Sequence, residues 1–130
     1  MAYELIGTDL SFLAAEDLSD YQYRFIHLAS DTTVDLLDSG AEFPIGILQN
    51  APASGNVAVV RVHGVSKLVM NAAIAVGLKI KAEYVDGSDN GKGDAADTDN
   101  DTARAVSLTA AGAEDDMITV LLFVDTIEVV

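Results

Sequence analysis

The residues best equipped for chemistry lie together in Asp86 to Asp101 (DGSDNGKGDAADTDND). Six aspartates and one lysine give this segment a net charge of −5, and it has no large apolar side chain. Carboxylate, hydroxyl and amide oxygens at alternating positions suit a hard cation such as calcium. The EF-hand pattern of spaced oxygen ligands around a central glycine is met by Asp86, Ser88, Asn90, Asp94 and Asp97, with Gly91 at the glycine position. Asp97 is shorter than the glutamate that usually closes such a loop, and the flanks read as strands. Asp97, Asp99 and Asp101 form a second alternating group. The competing reading is a solvated loop, mobile unless something neutralises it, because it cannot bury enough apolar surface to order itself.

Other reactive side chains lack partners at useful spacing. His27 and His63 each sit in a strand-like run, with no further ligand at metal-binding distance in sequence. Neither shows a triad pattern with a serine and an aspartate. Ser88-Asp89-Asn90 copies one β-lactamase motif, but the chain contains neither Ser-x-x-Lys nor Lys-Thr-Gly. The phosphate-cradling GxxxxGK[ST] pattern does not occur. Cysteine is absent, which removes thiolate catalysis, disulfides and cysteine-ligated zinc. Asn100-Asp101-Thr102 fits a glycosylation sequon that matters only on a secretory route. No enzymatic activity is expected.

The elements that must position these groups are set by charge and hydropathy. The 130 residues most simply form one domain, and half of them are apolar. Acids outnumber bases 21 to 7, for a formal charge of −14. Phosphate recognition needs clustered Lys and Arg, so direct nucleic-acid binding is not expected. The opening MAYELIGTDL has no basic residue and no cleavage pattern, so a secretory signal is not expected. Leu68 to Leu78 is uncharged but too short to span a bilayer, which takes about 20 apolar residues. The expected product is made in the cytoplasm and makes no membrane contact.

Period-two patterns dominate. Tyr21 to Leu28 alternates aromatic and polar residues, and Thr32 to Leu37 precedes a turn at Asp38-Ser39-Gly40. Ile45 to Leu48 follows Pro44, which suits an edge or a first strand position. Asn50 to Asn56 holds Pro52 and Gly55 and reads as a loop. Val57 to Val62 is nearly all apolar, as expected of a strand buried on both faces or lying at an interface. After His63-Gly64, VSKLVM reads as another strand, and Met70 to Leu78 is ambiguous. Lys79 to Tyr84, Arg104 to Thr109, Met117 to Val124 and Thr126 to Val130 complete the set. The pattern predicts an all-β domain over 21–130, a compact barrel or sandwich with a long acidic loop at 86–101. Residues 1–20 read as an extended arm with a short helical turn, Ser11 capping Phe12, Leu13 and Leu18.

Ile45-Gly46-Ile47-Leu48-Gln49-Asn50-Ala51-Pro52, then Gly55 and VAVVRVHGVSKL, resembles the central signature of the small tailed-bacteriophage head-decoration (cement) proteins. Ala72 to Gly77, the closing ITVLLF, and Phe12 with Ala14, Ala15, Asp17 and Leu18 continue the likeness. The resemblance implies a virion protein on the outer capsid surface, a homotrimer that bridges major capsid protein subunits. It implies that Met1 to Leu10 grip the capsid as an arm, through Ala2, Tyr3, Leu5, Ile6 and Leu10. Val57, Val59, Val60 and Val62 become core or trimer contacts, and Gly46, Gly55 and Gly64 backbone turns. The acidic loop is longer than the family's pattern, and Asp125 to Val130 runs past its usual end. No cofactor is implied. The rival reading, a soluble calcium-binding β module of adhesion or lectin-like type, rests on Asp86 to Asp101 alone.

Overall fold

The computed structural model describes residues 7–84, 87–98 and 100–127. Among them are nine strands and no helix, so the all-β expectation holds, and the architecture is a barrel. Five strands close it: β1 (Gly7–Ala14), β3 (Thr33–Leu36), β2 (Phe25–Leu28), β4 (Pro44–Leu48) and β5 (Val57–Val69), which pairs back on β1. The sheet then runs on from β5 through β9 (Met117–Thr126), β8 (Thr102–Ser107), β6 (Lys79–Ala82) and β7 (Gly93–Ala95). A parallel bridge from Gly93 to Met70 curls this extension back to the end of β5.

β5 joins the two halves. The expected break at His63-Gly64 is instead a bend inside one continuous strand, and Gly64 takes it at φ +97. At that residue β5 changes partner. Gly7 opposite Gly64 ends the pairing with β1, and Gly64 opposite Leu122 begins the pairing with β9. A side chain there would meet the steric cost of the left-handed region.

There are two cores with a shared wall. Ala14, Leu18, Ile26, Val34, Leu36, Leu48, Ala58 and Val60 fill the closed barrel. Phe25, Leu37, Ile47, Leu68, Met70, Ile80, Ile118, Val120 and Leu122 belong to the second cluster. Successive strand side chains face opposite ways, so Phe25 and Ile26, or Ile47 and Leu48, serve one core each. This explains the strands with apolar residues at consecutive positions, Phe25-Ile26 and Ile47-Leu48. Val57 to Val62 is not explained this way: Ala58 and Val60 are buried, Val57 is exposed, and Val59 and Val62 are half-buried. Its outer face lies on the barrel exterior, with no second core beyond it.

The start of the chain also differs from expectation. Gly7–Ala14 is a barrel strand, with Ser11 opposite Val59 in mid-strand, so there is no helical turn capped by Ser11. Ladder hydrogen bonds on both sides decide this, where the local pattern was neutral. Tyr21 to Arg24 is a turn rather than strand, and only Phe25–Leu28 pairs. Tyr23 adopts φ +64; its N–H donates to the Leu48 carbonyl and its carbonyl accepts from Val69 N–H. Those bonds hold the turn where the two cores meet. Thr126 to Val130 is not a separate strand where described, since Thr126 ends β9.

Candidate interaction surface

The acidic segment is tied to the body by its backbone. Phe25 N–H donates to the Gly91 carbonyl, Gly91 N–H to the Glu83 carbonyl, and Glu83 N–H to the Lys92 carbonyl. Gly91 sits at φ +81, and a Cβ there would lie 2.6 Å from the Phe25 carbonyl oxygen. Arg24 donates to the carbonyls of Ser88 and Asn90 at 3.0 and 3.1 Å. β7 pairs with β6 over Ile80 to Ala82. The described part of the segment is therefore built into the second curl, unlike the free loop expected.

Lys92 supplies the neutralisation. Its buried Nζ lies 2.6 Å from Asp89 Oδ1, 2.6 Å from Asp115 Oδ1 and 3.6 Å from Glu114 Oε1. Burial presses the ammonium pKa down, but the Asp115 and Asp89 carboxylates outweigh it and hold it above the usual lysine range. The hydrogen bond from Lys92 holds Asp89 below the carboxylate range. Of the expected calcium ligands, Asn90 is buried, Asp94 accepts its neighbour Ala95 N–H at 2.9 Å, Ser88 and Asp97 are exposed, and Asp86 lies outside the described residues. Among the described residues no three acidic, histidine or cysteine side chains converge to hold a metal ion.

All seven basic side chains have partners within the chain. Arg61 makes a two-point bond to Asp9 at 2.8 and 3.1 Å, and Lys79 pairs with Asp125, Lys81 with Asp101. Lys67 lies over the Tyr23 ring, Arg24 over that of Tyr21. Arg104 is buried and donates to the carbonyls of Pro44, Ile45 and Phe123 at 2.6, 2.9 and 2.7 Å. A basic patch does not form, because each cation is spent on internal geometry.

The residues on which the resemblance rests are also structural. Asn50 Nδ2 donates to the Val57 carbonyl and its Oδ1 accepts from Val59 N–H, which extends the β4–β5 contact past Leu48. Gln49 Nε2 donates to buried Ser66 Oγ and to the Ile47 carbonyl, each at 2.9 Å. Gly46 lies within β4, where a Cβ would stand 2.2 Å from the Arg61 carbonyl oxygen, so close strand approach explains it and a turn does not. Gly55, at φ +82 with open space around it, is a turn as expected.

Of the expected arm, Ala2, Tyr3, Leu5 and Ile6 lie outside the described residues, while Leu10 is an exposed member of β1 opposite Val60. His27 pairs with Glu42 at 3.2 Å, and His63 is exposed. A cleft of about 230 Å³ opens between residues 37–44 and β6, beside Phe43, Tyr84, Glu42 and the Lys81–Asp101 pair.

Pattern reading missed a surface made of uncharged segments. Residues 68–78, 105–113 and 117–124 contain no charged side chain, and the fold sets them side by side. Val65 stands opposite Leu121 and Leu121 opposite Val106 on the outward face of the β5–β9–β8 sheet, with Val69 opposite Met117, and Lys67, opposite buried Thr119, lies between the two pairs. Ile74 bridges Ala111, and Ser107 exchanges backbone bonds with Gly77 and Leu78. Val76 and Leu78 are exposed beside it. The available signal was a lack of charge in a chain of −14.

No family model matches the chain, and no curated protein matches it. Among solved structures, the fold is similar to that of the head fiber gp8.5 N base in bacteriophage phi29. The TM-score is 0.66 at 14% identity, covering 93% of this chain and 98% of that one.

Proposed function

We propose that the protein is a non-catalytic component of a tailed-phage head, a decoration protein that binds the outer surface of the assembled capsid and bridges major capsid protein subunits. The observation that carries this reading is a fold likeness to a phage head fiber base that spans nearly the whole of both chains. The structural use of Gly46, Gln49 and Asn50 supports it, since the signature they carry describes a scaffold. So does the internal commitment of every cation, which leaves the exterior acidic and suited to keeping coated particles apart in solution. The capsid-gripping role falls to the residues before Gly7, because Gly7 to Leu10 belong to the barrel.

Mixing the full chain with expanded capsids of the parent phage, followed by electron microscopy, tests this. The expected result is added density at regular positions on the outer face. A chain lacking residues 1–6 should stay folded and bind at least about tenfold more weakly. No added density at saturating protein would refute the head-decoration reading. Full affinity of the truncated chain would refute the arm.

A further inference from the structure

We propose that the cleft between residues 37–44 and β6 binds one ring of a neutral sugar. The inference does not depend on capsid binding. Among the described residues, Phe43 and Tyr84 are the two exposed aromatic side chains, at 49% and 40%, and both line this cleft. Phe25 is buried, and Phe12, Tyr21, Tyr23 and Phe123 are half-buried. Both exposed rings are braced. The Arg104 guanidinium lies over Phe43 and is itself held by three backbone carbonyls. Tyr84 rests on Gly40, where a Cβ would stand 2.7 Å from the ring's Cζ. Glu42 Oε1 accepts from the N–H groups of Asp38 and Ser39 at 2.8 and 3.2 Å, which fixes the turn that forms the opposite wall. A site whose walls are already in place loses little conformational freedom on binding.

The polar groups left unused identify the ligand. The charges of the cleft are committed: Glu42 also pairs with His27, and Asp101 faces Lys81 at 3.4 Å and accepts from Thr98 N–H at 3.0 Å. The Tyr84 hydroxyl, the Asn100 side-chain amide and the Thr102 hydroxyl line the same cleft without a hydrogen bond to any described residue. Each is a neutral group that both donates and accepts. Rings beside such groups match a ligand with an apolar C–H face and a rim of hydroxyls, as a pyranose has. An anion is disfavoured by a chain of −14. A cation would meet Lys81, and a guanidinium already covers one face of Phe43. The volume of about 230 Å³ falls below the roughly 300 Å³ at which pockets for drug-sized ligands begin. The cleft therefore takes one ring.

Titration of the isotope-labelled full chain with glucose, galactose, mannose and N-acetylglucosamine, each to about 100 mM and followed by amide chemical shifts, tests the proposal. At least one sugar should shift residues 39–43, 81–84 and 100–102, with a dissociation constant of about 1–30 mM. Sodium chloride should leave that constant unchanged, because a neutral ligand has no charge to screen. Tyr84→Ala should raise it at least about tenfold, with unchanged far-UV circular dichroism. Gly40→Ala, whose Cβ displaces Tyr84, should weaken binding as well, and Val57→Ala should leave it unaltered. If Gly40→Ala fails to fold, Tyr84→Ala, at an exposed position, carries the test. The proposal is overturned by no shifts with any of the four sugars, by shifts confined to other residues, or by full affinity in Tyr84→Ala. Tighter binding of glucuronate than of glucose, or a proline-rich peptide that shifts these residues where no sugar does, would overturn it too.

Discussion

Arg104 in β8 donates its Nε to the carbonyl oxygen of Pro44 at 2.6 Å, across sixty positions of the chain. The same guanidinium reaches Ile45 and Phe123, so one buried side chain ties β4 of the barrel to β9 of the extension. Burial lowers its pKa from the usual arginine value, and its hydrogen bonds go to neutral carbonyls. Phe43 lies against the guanidinium, 5.2 Å from ring centre to Cζ.

Replacing Arg104 should therefore cost more than losing a surface cation. Arg104→Met strands three carbonyl oxygens away from water, at on the order of 3 kcal/mol or more. Arg104→Lys should recover little, since one ammonium cannot reproduce the planar fork that meets three acceptors. Urea melts of the two variants check this.

Two glycines should separate strand crowding from backbone conformation. Gly46→Ala forces a Cβ against the Arg61 carbonyl and should cost about 2–3 kcal/mol. Gly55→Ala meets no atom within 4 Å and bears only the left-handed backbone penalty, about 1 kcal/mol. Thermal melting should rank Gly46→Ala well below Gly55→Ala.

Lys92 sits among Asp89, Asp115 and Glu114 as an internal counter-ion. Lys92→Met leaves these carboxylates facing one another, so Tm should fall by several degrees and proteolysis between residues 87 and 98 should accelerate. Millimolar calcium should restore part of the lost Tm in the variant and leave the natural chain unmoved. Differential scanning calorimetry with and without calcium reads both effects.

Glu16 gives stability a pH dependence of unusual sign. Its pKa is raised to about 7, chiefly by a hydrogen bond shared with Asp35, then by burial and by the Asp35 charge, against a lowering bond from the Leu36 backbone. The folded state thus holds a proton that the unfolded chain releases near the ordinary glutamate value of 4.5. The stability this proton confers is present in full below 4.5 and is lost as pH rises through about 7. Glu16→Gln should melt above the natural chain at about pH 8, with the gap closing toward pH 5. Asp125, held low by Lys79, and Asp17, held low by Ser19, act in the opposite sense and lose their contribution as the medium becomes acid.

The legible parts of the fold were those with local causes. Thr33–Leu36, Pro44–Leu48, Lys79–Ala82 and Met117–Thr126 emerged close to their true bounds, because alternation and flanking turn residues are read within a few positions. Gly7–Ala14 was missed, since an exposed strand carries weak alternation and its order comes from pairing with β5. Tyr21 to Arg24 was misread for the converse reason. Its alternation is good, but hydrogen bonds to Leu48 and Val69 hold it as a turn.

By itself the sequence determined an acidic, thiol-free β protein without a reactive constellation, and the segments where no charge falls. These are matters of composition and of side-chain period, which need no neighbour to be defined. Tertiary structure alone decided that β5 would serve two cores, that Lys92 would find Asp115, and that Arg104 would reach Pro44. A period of two shows that a strand has two faces and leaves open what covers each. That is decided when distant segments compete to bury apolar surface and to satisfy buried charge.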